Sequence, residues 1–302
     1  MSTLLTALLL LLQSNIDEVA YHELRNLDDR SYDEIMVSGL EAFYQTDWDD
    51  AQTYYDELIE IRPEDPRGYF FSSMIPFWKY FFITEDEQTA EKFLRISDQA
   101  IHLAEIQLQD KPDDTILIAM LSGLYGYQSL VASGENQVRK ALRTGRTGYG
   151  YTKQLLEIDD NMPEVHIGRG MHHYMVGSVP GALRWLVRLF GMNGDVETGF
   201  KELIIAAESE SHVSTDAKMI LAYLYNREEK YEQSLYYLYQ LHDQYNRNII
   251  FRYMLAETHE RNGDFSKATE LYKNVMETEN TNLTELTELS REKKEKLFQL
   301  NL

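Results

Sequence analysis

The residues with the most chemical potential gather between positions 136 and 194. His166, His172 and His173 lie within one ten-residue stretch, Val165 to Tyr174. On a helix His166 and His173 are seven apart and share a face, where two imidazoles could begin a metal site. Such a site needs three or four converging ligands, and neither an HExxH pattern nor an Asp or Glu inside the cluster supplies them. Gly168 and Gly170 point instead to helices packed tightly, with the imidazoles bonded to neighbours. No nucleophile elbow, dinucleotide loop or paired-carboxylate signature is present. The expectation is therefore no metal, no cofactor and no catalysis.

The same region is basic. Arg139, Lys140, Arg143, Arg146, Lys153, Arg169, Arg184 and Arg188 face only Glu157, Asp159, Asp160 and Glu164. This island of +4 sits in a chain of net charge −21 and focuses a field that favours an anionic partner. Within it, the stretch from Arg143 to Gly150, with Arg146, Gly145 and Gly148, reads as a flexible turn between two helices with solvated arginines. The alternative is a loop whose backbone amides approach an anion. The Gly-Lys-Ser/Thr ending of a nucleotide loop is missing, which disfavours ATP. From Pro180 to Gly191, Arg184 and Arg188 share one helix face with Trp185 beside them. That short segment is either buried with its arginines paired to local acids, or a contact for a membrane surface or a partner groove.

These side chains belong to a chain of 302 residues, 43% hydrophobic and 26% charged, an ordinary globular balance. Fifty acids against 29 bases argue against nucleic-acid binding. With no cysteine, disulfides, thiolate metal sites and a cysteine nucleophile are excluded. At the start, an apolar run from Leu4 to Leu12 precedes Gln13 and Ser14. Nine residues are too few to span a bilayer, which takes about 20 in a helix. The run reads as a secretory signal over 1–14, leaving residues 15–302 as one helical-repeat domain. This implies export to a bacterial periplasm or cell envelope. No Lys or Arg precedes the run, so a first helix in a cytoplasmic protein is the alternative.

The elements that position the island repeat. Shifted by 34 residues, Leu221 meets Leu255, Ala222 meets Ala256, Tyr231 meets Phe265 and Ser234 meets Ala268. The small residues mark where two helices of a hairpin cross, and Tyr231 and Phe265 fill the space beside the turn. Asn262-Gly263-Asp264 breaks the hairpin, with glycine free to take a positive φ. Ile35, Gly39, Ala51, Tyr55 and Pro63 fall in the same register near the start. Over 32–65, 215–248 and 249–282 the chain resembles tetratricopeptide (TPR) repeats. Pro63, Pro112 and Pro163, each followed by an acid, predict helix starts in the middle of the chain. The reading is all-α: a right-handed solenoid of about six helical hairpins, a TPR-like superhelix, closed by a charged C-terminal capping helix from 282.

The resemblance implies a concave face lined by the first helix of each hairpin. Its groove positions fall on Met36, Leu40, Phe43 and Tyr44 in the first unit. In the fifth they fall on Met219, Tyr223, Asn226 and Arg227, and in the sixth on Tyr253, Glu257 and Arg261. Met and Tyr suit such a surface, being large and adaptable or amphipathic, although any of them can equally pack between helices. The Lys and Asn that clamp a partner's terminal carboxylate in one TPR subtype are absent. Residues 164–210, with Gly168, Gly170, Pro180, Arg188, Gly194-Asp195 and Gly199, are similar to the tetratricopeptide domain 39 family, eukaryotic proteins that include relatives at the mitochondrial outer membrane. This implies an unusual unit inside one helical domain. The expected function is a non-enzymatic scaffold binding a protein or peptide along its concave face; the alternative is a peripheral membrane or anionic-ligand binding protein using Arg143, Arg146, Arg184, Trp185 and Arg188.

Overall fold

The computed structural model describes residues 32–185, 191–211, 213–278 and 283–300. The N-terminal run and Arg188 lie outside them. Among the described residues there are helices and turns but no strands, and the helices pair as six hairpins followed by one more helix. The first hairpin is α1 (32–44) and α2 (Trp48–Ile61). The second is α3 (Pro66–Lys79), running through a π-helical turn (Tyr80–Thr84), and α4 (Glu87–Asp110). Next come α5 (Thr115–Gly134) with α6 (Val138–Ile158), and α7 (Pro163–Gly177) with α8 (Val196–Ala207). The last two hairpins are α9 (Ser214–Arg227) with α10 (Tyr231–Gln244), and α11 (Ile249–Arg261) with α12 (Phe265–Glu277). Helix α13 (Thr284–Leu300) packs on α12. The chain is thus an all-α helical-repeat solenoid.

Five of the six hairpins share one turn geometry. Two residues before the second helix, Thr46, Glu85, Asn136, Glu229 and Gly263 all have φ between +46° and +84°. This left-handed residue reverses the chain within a few positions, and only at 263 does glycine hold it without steric cost. Close crossings follow from small residues. Ser234 Oγ donates to the Ala222 carbonyl at 2.8 Å, and Tyr55 OH to the Gly39 carbonyl at 3.0 Å. A Cβ on Gly39 would stand 2.6 Å from the Tyr55 ring. Phe265 departs from expectation: it is 39% exposed rather than packed beside the turn.

The prolines act differently from one another. Pro163 opens α7, but Pro63 and Pro112 lie in the turns ahead of α3 and α5. There Pro66 with Asp65, and Asp114, supply the starts: Asp65 accepts from Arg67 N, and Asp114 from Ile116 N and Leu117 N. The stretch 143–150 is no turn. It lies inside α6, and its glycines serve packing: a Cβ on Gly148 would meet the Ser122 carbonyl at 3.0 Å, and one on Gly145 the Ser129 hydroxyl at 2.9 Å. Backbone amides inside a helix bond to carbonyls one turn back, so none is left to cradle an anion. Helix α5 is apolar and long enough to cross a membrane; here it lies between α4 and α6, with Leu117, Ile118, Leu121 and Leu124 buried.

Candidate functional site

A simple solenoid touches only neighbouring units. This chain also closes on itself, and the closure runs through the residues that the repeat pattern assigns to the groove. The α1–α2 turn docks on the turn between α10 and α11: Asn248 Nδ2 donates to the Tyr44 carbonyl at 2.7 Å, and Arg247 pairs with Asp47 at 2.6 Å. Tyr44 stacks on Tyr245, centroids 5.0 Å apart, and its hydroxyl donates to Asp216 Oδ1 at 2.7 Å. Burial and that carboxylate hold the Tyr44 phenol well above its usual pKa. Phe43 is 3% exposed, Met36 packs against the same core, and Leu40 lines a cavity of about 30 Å³ with Phe43, Tyr44, Trp78 and Asp216.

The second closing element is the end of α3. Its π turn widens the helix and ends at Glu85 in the left-handed region, which carries Phe81 and Phe82 toward the last hairpins. Phe81 meets Tyr223 at 4.9 Å, Phe82 meets it at 6.4 Å, and Trp78 meets Phe251 at 5.9 Å. Lys79 pairs with Glu285 of α13 at 3.0 Å. One hydrophobic cluster therefore contains both Tyr32–Phe93 and Tyr174–Leu297, while α4–α7 add smaller clusters of their own.

The spacing of 34 sets Met219 against Tyr253, Tyr223 against Glu257 and Arg227 against Arg261 at the positions that the repeat pattern assigns to the inner face. Several of these positions are core: Met219 is 7%, Asn226 8% and Tyr253 9% exposed, with Tyr253 packed on Tyr272. Asn226 donates to Thr258 Oγ1 at 2.5 Å and accepts from Arg261. What stays open is a rim, with half-buried Phe81, Phe82, Tyr223 and Glu257 beside exposed Arg227. Alanine at Tyr223 or Tyr253 therefore disturbs packing as well as any partner contact. Sequence periodicity pointed to these positions, but it held no signal for Trp78, Phe81 and Phe82, which reach Phe251 and Tyr223 from another hairpin.

The basic island is a second surface. Arg139, Arg143, Arg146 and Lys153 recur at helical spacing on α6 and are exposed, and among the described residues Arg143 and Arg146 make no ion pair. Lys153 Nζ lies 5.0 Å over the Tyr149 ring, which stacks on His172 at 3.6 Å. Burial, with the neighbouring His173, lowers the His172 pKa to about 4. The described parts of the α7–α8 connection, 178–185 and 191–195, lie between closely packed glycines. A Cβ on Gly177 would lie 2.7 Å from Val196 N, and one on Gly199 2.8 Å from Tyr174 N. In this connection Trp185 is 64% exposed and Arg184 Nε donates to the Val179 carbonyl at 3.3 Å, not to an acid. His166 is bonded across the same crossing: its Nδ1 lies 2.7 Å from Glu202 Oε2, and Arg169 pairs with the other Glu202 oxygen at 2.5 Å.

No protein-family model matches the chain, and no curated protein matches it. Among solved structures it is similar to TTC0263, a thermophilic TPR protein of Thermus thermophilus, with 14% identity, 87% of this chain and 98% of that chain covered, and a TM-score of 0.35. It is also similar to yeast Tom70, with 14% identity, 83% and 77% covered, and a TM-score of 0.34.

Proposed function

We propose that the chain is a non-enzymatic helical-repeat scaffold that holds a protein partner at the rim of its inner face. The observation that carries this reading is the strip left open after the chain has filled its own groove: Phe81, Phe82 and Tyr223 half-buried beside Arg227 and Glu257. Aromatic and arginine side chains at the edge of a rigid helical wall are the types that dominate binding energy at interfaces. A photo-crosslinking residue at 227 or 257 should capture one dominant partner in cells, with little capture from exposed Ile106 on α4. Equal capture from all three positions would remove the rim from the account.

A second reading rests on Arg143 and Arg146 of α6, which make no ion pair among the described residues, and on exposed Trp185: a peripheral contact with an anionic surface. It expects sedimentation with vesicles containing anionic lipid that weakens as salt rises, and lost binding in Arg143→Glu/Arg146→Glu. Equal sedimentation with neutral vesicles discards it. Export belongs to the same proposal, and a fusion of residues 1–30 to a reporter active only outside the cytoplasm tests it; a silent reporter rejects export.

A further inference from the structure

Helices α8 to α10 carry an aromatic ladder that runs out to the surface. Phe200 and Tyr225 stack at 4.3 Å with planes 7° apart, and Tyr237 continues the ladder at 6.1 Å and 5°. Tyr236 then meets Tyr237 edge-on at 5.0 Å and 80°. Tyr225 and Tyr237 are buried, whereas Tyr236 is 64% exposed. The three tyrosines, with Glu232 and Gln233, line an open pocket of about 250 Å³. Packing of α9 on α10 uses Tyr225 and Tyr237; it makes no use of the outer face of Tyr236.

The chemistry of this pocket favours a cation. Ring faces carry the negative lobe of the aromatic quadrupole and attract an ammonium or guanidinium within about 6 Å. The ladder already holds one such group, since Lys230 Nζ lies 5.0 Å over Phe200 and 6.0 Å over Tyr225. Glu232, one helical turn before Tyr236, forms no ion pair among the described residues, and the Glu208 carboxylate bears on Tyr237 as well. The net charge of −21 adds a long-range field of the same sign.

The polar lining separates the candidate cations. A quaternary ammonium would use the rings but leave the Glu232 carboxylate and the Gln233 carbonyl without a donor. A lysine ammonium is compact and strongly hydrated. A guanidinium lies flat on a ring and offers a planar fork of N–H donors to a carboxylate. We propose that the pocket of Tyr225, Tyr236 and Tyr237 with Glu232 is a subsite for an arginine side chain of a partner protein. The source of that arginine rests on the scaffold reading; the affinity of the pocket for a guanidinium does not.

The test uses the full chain labelled with fluorotyrosine and followed by fluorine NMR, with N-acetylarginine methylamide as probe. Saturable shifts at the Tyr236 and Tyr237 signals are expected, with none from the neutral citrulline analogue. Tyr236→Ala and Glu232→Gln, both at exposed positions, should each weaken the probe about three- to fivefold, the scale of an exposed cation–ring or ion contact. No saturable shift, equal shifts from citrulline, or tighter binding of tetramethylammonium overturns the proposal. The partner arm compares crosslinking from position 227 in the wild type and in Tyr236→Ala. Reduced capture supports the arginine subsite, and unchanged capture with an intact probe response overturns its assignment to the partner. If position 227 captures nothing while the probe still binds, the scaffold reading fails and the guanidinium site stands without it.

Discussion

Closure of the stack rests heavily on Trp78. Its ring is 1% exposed and meets Phe43 at 4.8 Å, Phe82 at 5.4 Å and Phe251 at 5.9 Å, so one side chain ties α1, the π turn and α11 together. Trp78→Ala should destabilise the chain by about 3–5 kcal/mol, the usual cost of deleting a fully buried large aromatic ring. Part of that cost belongs to the contact across the closure. A double-mutant cycle with Phe251→Ala isolates it, and a tilted aromatic pair of this kind should show a coupling of about 0.5–1.5 kcal/mol. In a solenoid with neighbour contacts only, sites so far apart would add within roughly 0.3–0.5 kcal/mol. Urea denaturation measures the energies, and native-state hydrogen exchange locates them. Trp78→Ala should lower protection in α9 and α11 as well as in α1–α4. Phe93→Ala is the control, because Phe93 is fully buried against Phe77 at 5.3 Å within its own hairpin. Additive energies, together with unchanged exchange in α9 and α11, would refute the closed arrangement.

Other outcomes follow from single positions. Glu229→Gly should stabilise the chain by about 1 kcal/mol in thermal or urea unfolding, since φ of +59° strains any residue with a Cβ; no gain would mean the turn relaxes in solution. Gly150→Ala in α6, where a Cβ meets nothing within 4 Å, should gain about 0.5–1 kcal/mol from helix propensity. Gly199→Ala should instead lose about 1–3 kcal/mol, because its Cβ would stand 2.8 Å from Tyr174 N. His172, held at a pKa of about 4 by burial and by His173, is neutral in the folded chain where the unfolded chain is protonated. Its contribution is complete above pH 6.5 and shrinks as pH falls toward 4. Between pH 7 and 5 the loss is on the order of 1 kcal/mol by linkage once solvent screening of this partly exposed ring is allowed for, and His172→Phe should flatten that slope in urea midpoints across pH.

Much of the helical framework was legible because its signals are local. Gly39 with Tyr55, and Ala222 with Ser234, announce hairpin crossings by residue size alone, and the crossings occur there. The errors were local signals with two meanings. Glycines at 145 and 148 suggested a turn, yet a glycine opposite a serine on the next helix also permits tight packing, and the 21-residue span of α6 decided for packing. Pro63 and Pro112 marked the neighbourhood of helix starts, while the starts themselves belong to capping aspartates. The histidine cluster could not reveal Glu202, which arrives from the next helix 36 positions after His166.

By itself the sequence determined the class of the fold, the register of the repeats and the acidity of the surface. Those properties come from periodicity, side-chain size and charge, all summed over short windows. Tertiary structure alone decided that Tyr44 would reach Asp216 and that Phe81 and Phe82 would lie on Tyr223. It alone decided which inner-face positions became core and which stayed as rim. The physical reason is that a solenoid's curvature accumulates from small rotations at every crossing. Whether its ends meet depends on the sum of those rotations, which no local pattern encodes.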